Sequence, residues 1–181
     1  MMLKTTALAA LALLVANGAA MAQPPAPTSP PDPAPADVAS PAAIVQAVYA
    51  VISGPAGAPR DWNRLRSLMV PGAIFSVTGV SKVGVLRTRV VSVEDYISGS
   101  SKALSAMGFY EHGVVGRVWL YDGIATVESP YESRHAPGEA PFERGINIFQ
   151  LALDGARWRV VSIAWESDTA AFHTNNAPLR R

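Results

Sequence analysis

Between residues 131 and 145 the sequence YESRHAPGEAPFERG gathers three glutamates, two arginines and a histidine around two proline-containing turns. Carboxyl, imidazole and phenol groups side by side are what proton transfer near neutral pH requires. The same groups also make the charged lip of a β-sheet, so strand register decides which of them face a pocket. Elsewhere the chain offers few alternatives. His112, His135 and His173 are scattered without ligand spacing, and cysteine is absent. None of the Gly-x-Ser-x-Gly, Ser-x-x-Lys, Gly-x-Gly-x-x-Gly, phosphate-loop or His-Glu-x-x-His patterns occurs. No metal and no cofactor is expected.

These groups must be held by a single domain. Lys4 followed by the apolar run Ala7 to Val15 and by Ala20-Met21-Ala22 reads as a secretory signal peptide over 1–22, cut between Ala22 and Gln23, which predicts a periplasmic or secreted protein. No later stretch approaches 18 uninterrupted apolar residues, so no membrane anchor is expected after cleavage. Loss of Lys4 brings the formal charge from +1 to about zero, which argues against nucleic acid as a partner. Residues 23–40, with the following Pro41, hold eight of the 15 prolines and read as an extended, solvated linker. The folded domain is expected over 41–170, with a polar tail at 171–181.

Within the domain, Ser40-Pro41 opens an amphipathic helix that Gly54-Pro55 stops, and Asp61 caps a shorter one that Pro71-Gly72 ends. The β-branched runs Ala73 to Val77 and Val85 to Val91 read as a loose hairpin. Ser92, with Asp95 three residues on, opens a third helix that runs to Gly108. Four long strands follow at about 109–121, 124–134, 144–153 and 156–167, joined in part by tight turns at Asp122-Gly123 and Asp154-Gly155.

This order, together with the closing segment ERGINIFQLALDGARWRVVSIAWESD, resembles the nuclear transport factor 2-like superfamily, including its SnoaL-like and ketosteroid isomerase-like members, and looks particularly like secreted members of unassigned function. The resemblance implies an α+β fold, a curved and mostly antiparallel sheet wrapped around three helices as a cone-shaped, cystatin-like roll. It also implies a conical pocket and commonly a dimer through the sheet. The chain departs from the ketosteroid isomerase pattern at one place. No acidic residue lies between Asp61 and Glu94, so the first hairpin, which carries the base in that family, supplies none. Tyr49 falls near the position of that family's oxyanion tyrosine.

Register singles out the candidates. With Tyr121 facing Ile124, counting back along both strands places Arg117 opposite Glu128 and Glu111 opposite Arg134 on one face, and His112 opposite Ser133 and Val114 opposite Tyr131 on the other. The charged pairs are then outward, and His112 and Tyr131 fall on the aliphatic face. In the last hairpin, Leu153 facing Ala156 places Asn147, Phe149, Leu151, Trp158 and Val160 with Glu166 on one face and Ile146, Ile148, Val161, Ile163 and Trp165 on the other. Both faces are apolar, which predicts a homodimer through the outer one. The candidate catalytic residues are His112, Tyr131 and Glu166, and the candidate ligand-binding residues Tyr49, His112, Tyr131 and Asn147. The expected function is an exported small-molecule-binding or scaffold domain with an apolar conical pocket. The alternative is a cofactor-independent isomerase, dehydratase or cyclase acting on a small hydrophobic substrate.

Overall fold

In the computed structural model of the chain, residues 32–81 and 83–168 are described. The expected signal peptide, the first part of the linker, the tail 171–181 and His173 lie outside them. The linker does not stay solvated to residue 40. Pro35–Val38 forms a 3₁₀ turn, Val38 is buried in the core, and the Arg64 guanidinium grips both carboxylate oxygens of Asp37 at 2.8 and 2.9 Å. One buried valine and one bidentate pair hold a segment whose composition reads as solvated.

Three helices follow, α1 (Pro41–Ile52), α2 (Trp62–Leu68) and α3 (Val93–Ala106). Each begins on a side-chain cap: Ser40 accepts from Ala43, Asp61 from Arg64, and Ser92 from Asp95 in a reciprocal capping box. Such caps satisfy amide groups that the first helical turn leaves open. The strands are β1 (Met69–Val80), β2 (Leu86–Ser92), β3 (Tyr110–Gly113), β4 (Val118–Tyr121), β5 (Ile124–Arg134), β6 (Glu143–Asp154) and β7 (Arg157–Ser167). They form one sheet in the order β2-β1-β7-β6-β5-β3, with β4 also pairing β5; only β1 and β7 run parallel. This is an α+β architecture, a mostly antiparallel curved sheet closed on its inner face by the helices. Ile44 and Val48 of α1, Leu65 and Leu68 of α2, and Val127 and Phe149 of the sheet meet in the core. Pro71-Gly72 does not separate α2 from the sheet, because β1 begins at Met69 and runs through both residues. Gly72, at φ 82°, marks the point where the pairing of β1 with β7 shifts.

Two bulges overturn the expected register, and with it the faces. The strand expected over 109–121 is two strands. From Tyr121↔Ile124 to Val118↔Val127 the pairing is the expected one, but beyond the bulge it runs Gly113↔Tyr131, His112↔Glu132, Glu111↔Ser133 and Tyr110↔Arg134. One extra residue in the first strand exchanges its two faces. Glu111 therefore points inward and His112 outward, the reverse of the expectation. The cause is steric: a Cβ on Gly113 would lie 2.2 Å from the Tyr49 hydroxyl oxygen, so a residue without a side chain must face that ring.

In the last hairpin the two-residue turn is Gly155-Ala156 rather than Asp154-Gly155, with Asp154 facing Arg157 and Gly155 at φ 63°. A second irregularity sets Leu151 opposite Val160 but Gln150 opposite Ser162, leaving Val161 over. Strict alternation from Trp158 would bury Ser162, Ala164 and Glu166. The extra residue turns Ile163 and Trp165 inward instead, and Glu166 out beside Ile146. Burying a large apolar side chain is worth about 1.5–3 kcal/mol, whereas burying an unpaired carboxylate is costly, so the bulged strand is the lower in free energy.

Candidate functional site

The inner face of the sheet and α1 and α3 enclose a cavity of about 140 Å³. A space of roughly 150 Å³ accommodates a single benzene ring. Aromatic walls dominate it. Phe75, Tyr96 and Trp165 pack edge to face with centroids 4.8 to 6.2 Å apart, and Tyr49 meets Phe149 in the same way at 6.0 Å. The polar groups gather at one side: Tyr49, Glu111, Tyr131, Glu143 and Asn147. Among the described residues, none that lines the cavity is basic.

Glu111 is the centre of the polar side. Ser53, the C-terminal cap of α1, fixes its backbone, accepting from Glu111 N at 3.0 Å and donating to its carbonyl at 3.3 Å. Gln46, about two turns earlier, donates to the carbonyl of Gly113 at 3.0 Å. Helix side chains thus occupy backbone groups that an edge strand would otherwise present to water. The Glu111 carboxyl enters the cavity, where Asn147 Nδ2 donates to Oε1 at 2.9 Å and Ser133 Oγ donates to Oε2 at 3.4 Å. Burial pushes this carboxyl up to about 7, against the lowering effect of those two hydrogen bonds, and nearby Glu143 adds to the rise. A carboxyl in that range is populated as acid and as base at neutral pH, the condition for efficient proton transfer.

Asn147 joins Glu111 to Tyr49. Its Nδ2 also donates to the Tyr49 hydroxyl at 3.0 Å, and that hydroxyl donates to Ser129 Oγ at 2.7 Å, which in turn donates to the Val114 carbonyl at 3.0 Å. Burial holds the Tyr49 phenol at about 12, so it stays protonated. Nearby, Tyr131 contacts Ser167 Oγ at 3.1 Å, and Ser167 donates to Glu143 Oε1 at 2.6 Å. A wider groove of about 630 Å³ lies behind Tyr49 and Glu111, bounded by Gln46, His112, Arg134 and Glu139.

The sequence-derived candidates divide cleanly. Tyr49, Tyr131 and Asn147 line the one cavity. His112 is exposed on the outer side of β3, and Glu166 faces outward from β7, so the expected convergence of these two in the pocket does not occur. Glu111, expected outside in a pair with Arg134, and Glu143, expected in the loop after β5, are the carboxyls that enter. Both shifts carry a trace in the sequence. Gly113 and Gly116 interrupt a strand pattern, a common mark of a bulge, and the doublet Val160-Val161 breaks the alternation of β7. Three further charges of the opening stretch form surface pairs, Arg134 and Arg144 both binding Glu132, the latter at 2.8 Å; upstream of it Arg117 lies 3.8 Å from Glu128.

No protein-family model matches the chain, and no curated protein matches it either. Solved structures do. A protein of unknown function with a cystatin-like fold from Nostoc punctiforme superposes with a TM-score of 0.52 at 12% identity, covering 70% of this chain and 87% of its own. An NTF2-like protein of unknown function from Silicibacter pomeroyi superposes with a TM-score of 0.50 at 18% identity, covering 70% and 92%. The chain has the nuclear transport factor 2-like fold. Identities this low establish the backbone architecture of an NTF2-like domain and leave its chemistry to the residues in the cavity.

Proposed function

We propose that this NTF2-like domain is a cofactor-independent enzyme that moves a proton on a small, uncharged hydrophobic molecule, in the manner of an isomerase, dehydratase or cyclase, with Glu111 as the acid/base. One observation carries the reading: a half-buried carboxyl that enters an aromatic cavity, held by Asn147 and Ser133, and raised to about 7. A pocket that only binds a hydrophobic ligand has no use for such a group, whose desolvation is costly. The absence of a basic residue among the described lining residues disfavours anionic substrates, and the volume suits a molecule of about one ring. Asn147 orients the carboxyl, and Tyr49, locked between Asn147 and Ser129, anchors Asn147.

Acetylacetone is a suitable probe, being small and neutral, with an enol that absorbs in the ultraviolet. Diluted from an apolar co-solvent into buffer, its excess enol relaxes to the diketone. The expected result is acceleration by the protein that is steady below pH 7, falls as the Glu111 acid form is lost above it, and drops by about 100-fold or more in Glu111→Gln. A rate equal to buffer, or a Glu111→Gln rate equal to the parent, overturns the reading. Export through the amino-terminal segment and a homodimer through the outer sheet face complete the proposal. For the dimer the support is the exposed apolar set on that face, Trp119, Tyr121, Ile124, Ile146 and Val161.

A further inference from the structure

Two tyrosine–serine pairs flank the cavity, and they end differently. Tyr49 donates to Ser129, and Ser129 donates to the carbonyl of Val114, an acceptor that cannot take up a proton at neutral pH. Tyr131 meets Ser167, and Ser167 donates to the carboxylate of Glu143, a Brønsted base. The direction of the second chain follows from counting hydrogens. A carboxylate only accepts, so the single hydroxyl hydrogen of Ser167 is committed to Glu143, and Tyr131 must be the donor to Ser167. All three groups are placed for this. Tyr131 is buried with its ring in the cavity wall, Ser167 and Glu143 are half-buried, and Gly145 leaves room for the phenol, since a Cβ there would fall 2.8 Å from the Tyr131 hydroxyl oxygen.

We infer that Tyr131, Ser167 and Glu143 form a directed proton relay that takes a proton from the substrate to Glu143 at the cavity wall, as the complement of the proton that Glu111 delivers. The inference rests on the proposed acid/base role of Glu111 and adds the second half of the reaction. For an enol substrate, the O–H bond breaks and its electron pair becomes the second bond of the carbonyl. That proton passes to Tyr131 Oη as the Tyr131 proton moves to Ser167 Oγ and the Ser167 proton moves to Glu143 Oε1. The C=C pair meanwhile takes the proton from Glu111. Glu143 ends protonated and Glu111 ionised, and exchange with water restores both. The substrate class this pairing fits is a neutral molecule that loses a proton from oxygen at one end and gains one at another atom, with no net redox change.

The test uses the full chain with acetylacetone and the variants Ser167→Ala, Ser167→Thr and Glu143→Gln. Ser167→Ala and Glu143→Gln are expected to lower kcat by about tenfold or more with KM little changed, while Ser167→Thr, which keeps a hydroxyl, stays within about threefold of the parent. A Ser167→Ala enzyme as fast as the parent overturns the relay and leaves the role of Glu111 standing. Should the parent itself fail to accelerate the probe, the reading of Glu111 fails and the relay is judged by a second measurement, the Tyr131 Cζ resonance in tyrosine-labelled protein across an acid titration. The other carboxyls near that phenol are Glu111 and Asp168. A response present in the parent and lost in both Ser167→Ala and Glu143→Gln supports the relay; a parent resonance that ignores Glu143 overturns it.

Discussion

The hydroxyl of Tyr49 lies over Gly113 so closely that a single added carbon would sit 2.2 Å from it. That contact joins α1 to β3, sets the parity of β3, and thereby decides that Glu111 rather than His112 faces the cavity. Gly113→Ala is expected to destabilise the fold by about 1–3 kcal/mol through overpacking, and to uncouple Asn147 from Tyr49. Denaturant melts give the first quantity, and the rate with acetylacetone gives the second. Tyr49→Phe is the milder companion. It removes only the hydroxyl, leaves one hydrogen of Asn147 unpaired, and is expected to cost about 1–2 kcal/mol.

Stability should carry the mark of Glu111. Its folded-state value, about 7, lies above the ordinary 4.5, so the acid form is the one the fold favours. The contribution is fully present below pH 4.5 and is lost as the pH rises through 7. A gap of that size corresponds to about 3 kcal/mol. Glu111→Gln, which mimics the neutral acid, should therefore match the parent near pH 4 and exceed it at pH 8. Thermal melts across that range check this, and a parent no less stable than Glu111→Gln at pH 8 would falsify the burial argument.

The outer face of β4 to β7 makes a separate prediction. Ile124 and Ile146 stand exposed there at 61% and 37%. Replacing both with glutamate should convert a dimer into a monomer in light scattering after size exclusion, with the fold retained by circular dichroism. A parent chain that is already monomeric at micromolar concentration removes the dimer from the proposal.

Helices and strands were legible because their marks are local. Ser40, Asp61 and Ser92 cap the three helices at the positions their spacing indicates, and Asp122-Gly123 sets the β4–β5 pairing from Tyr121↔Ile124 to Val118↔Val127. The order of these elements was sufficient for the α+β roll. Tyr49, Tyr131 and Asn147 were also placed at the cavity by the sequence reading, Tyr49 by its position near the oxyanion tyrosine of the family the chain resembles and the other two because they lie on strands whose own alternation is unbroken.

The two carboxyls that line the cavity, Glu111 and Glu143, were not within reach. Side chains alternate from face to face along a strand, so a single inserted residue exchanges every assignment beyond it. Where the insertion falls depends on contacts between distant segments: Gly113 against Tyr49 of α1 in one bulge, and the burial of Ile163 and Trp165 in place of Glu166 in the other. Local residue types set what each element is, whereas only packing between elements sets which carboxyl faces the cavity.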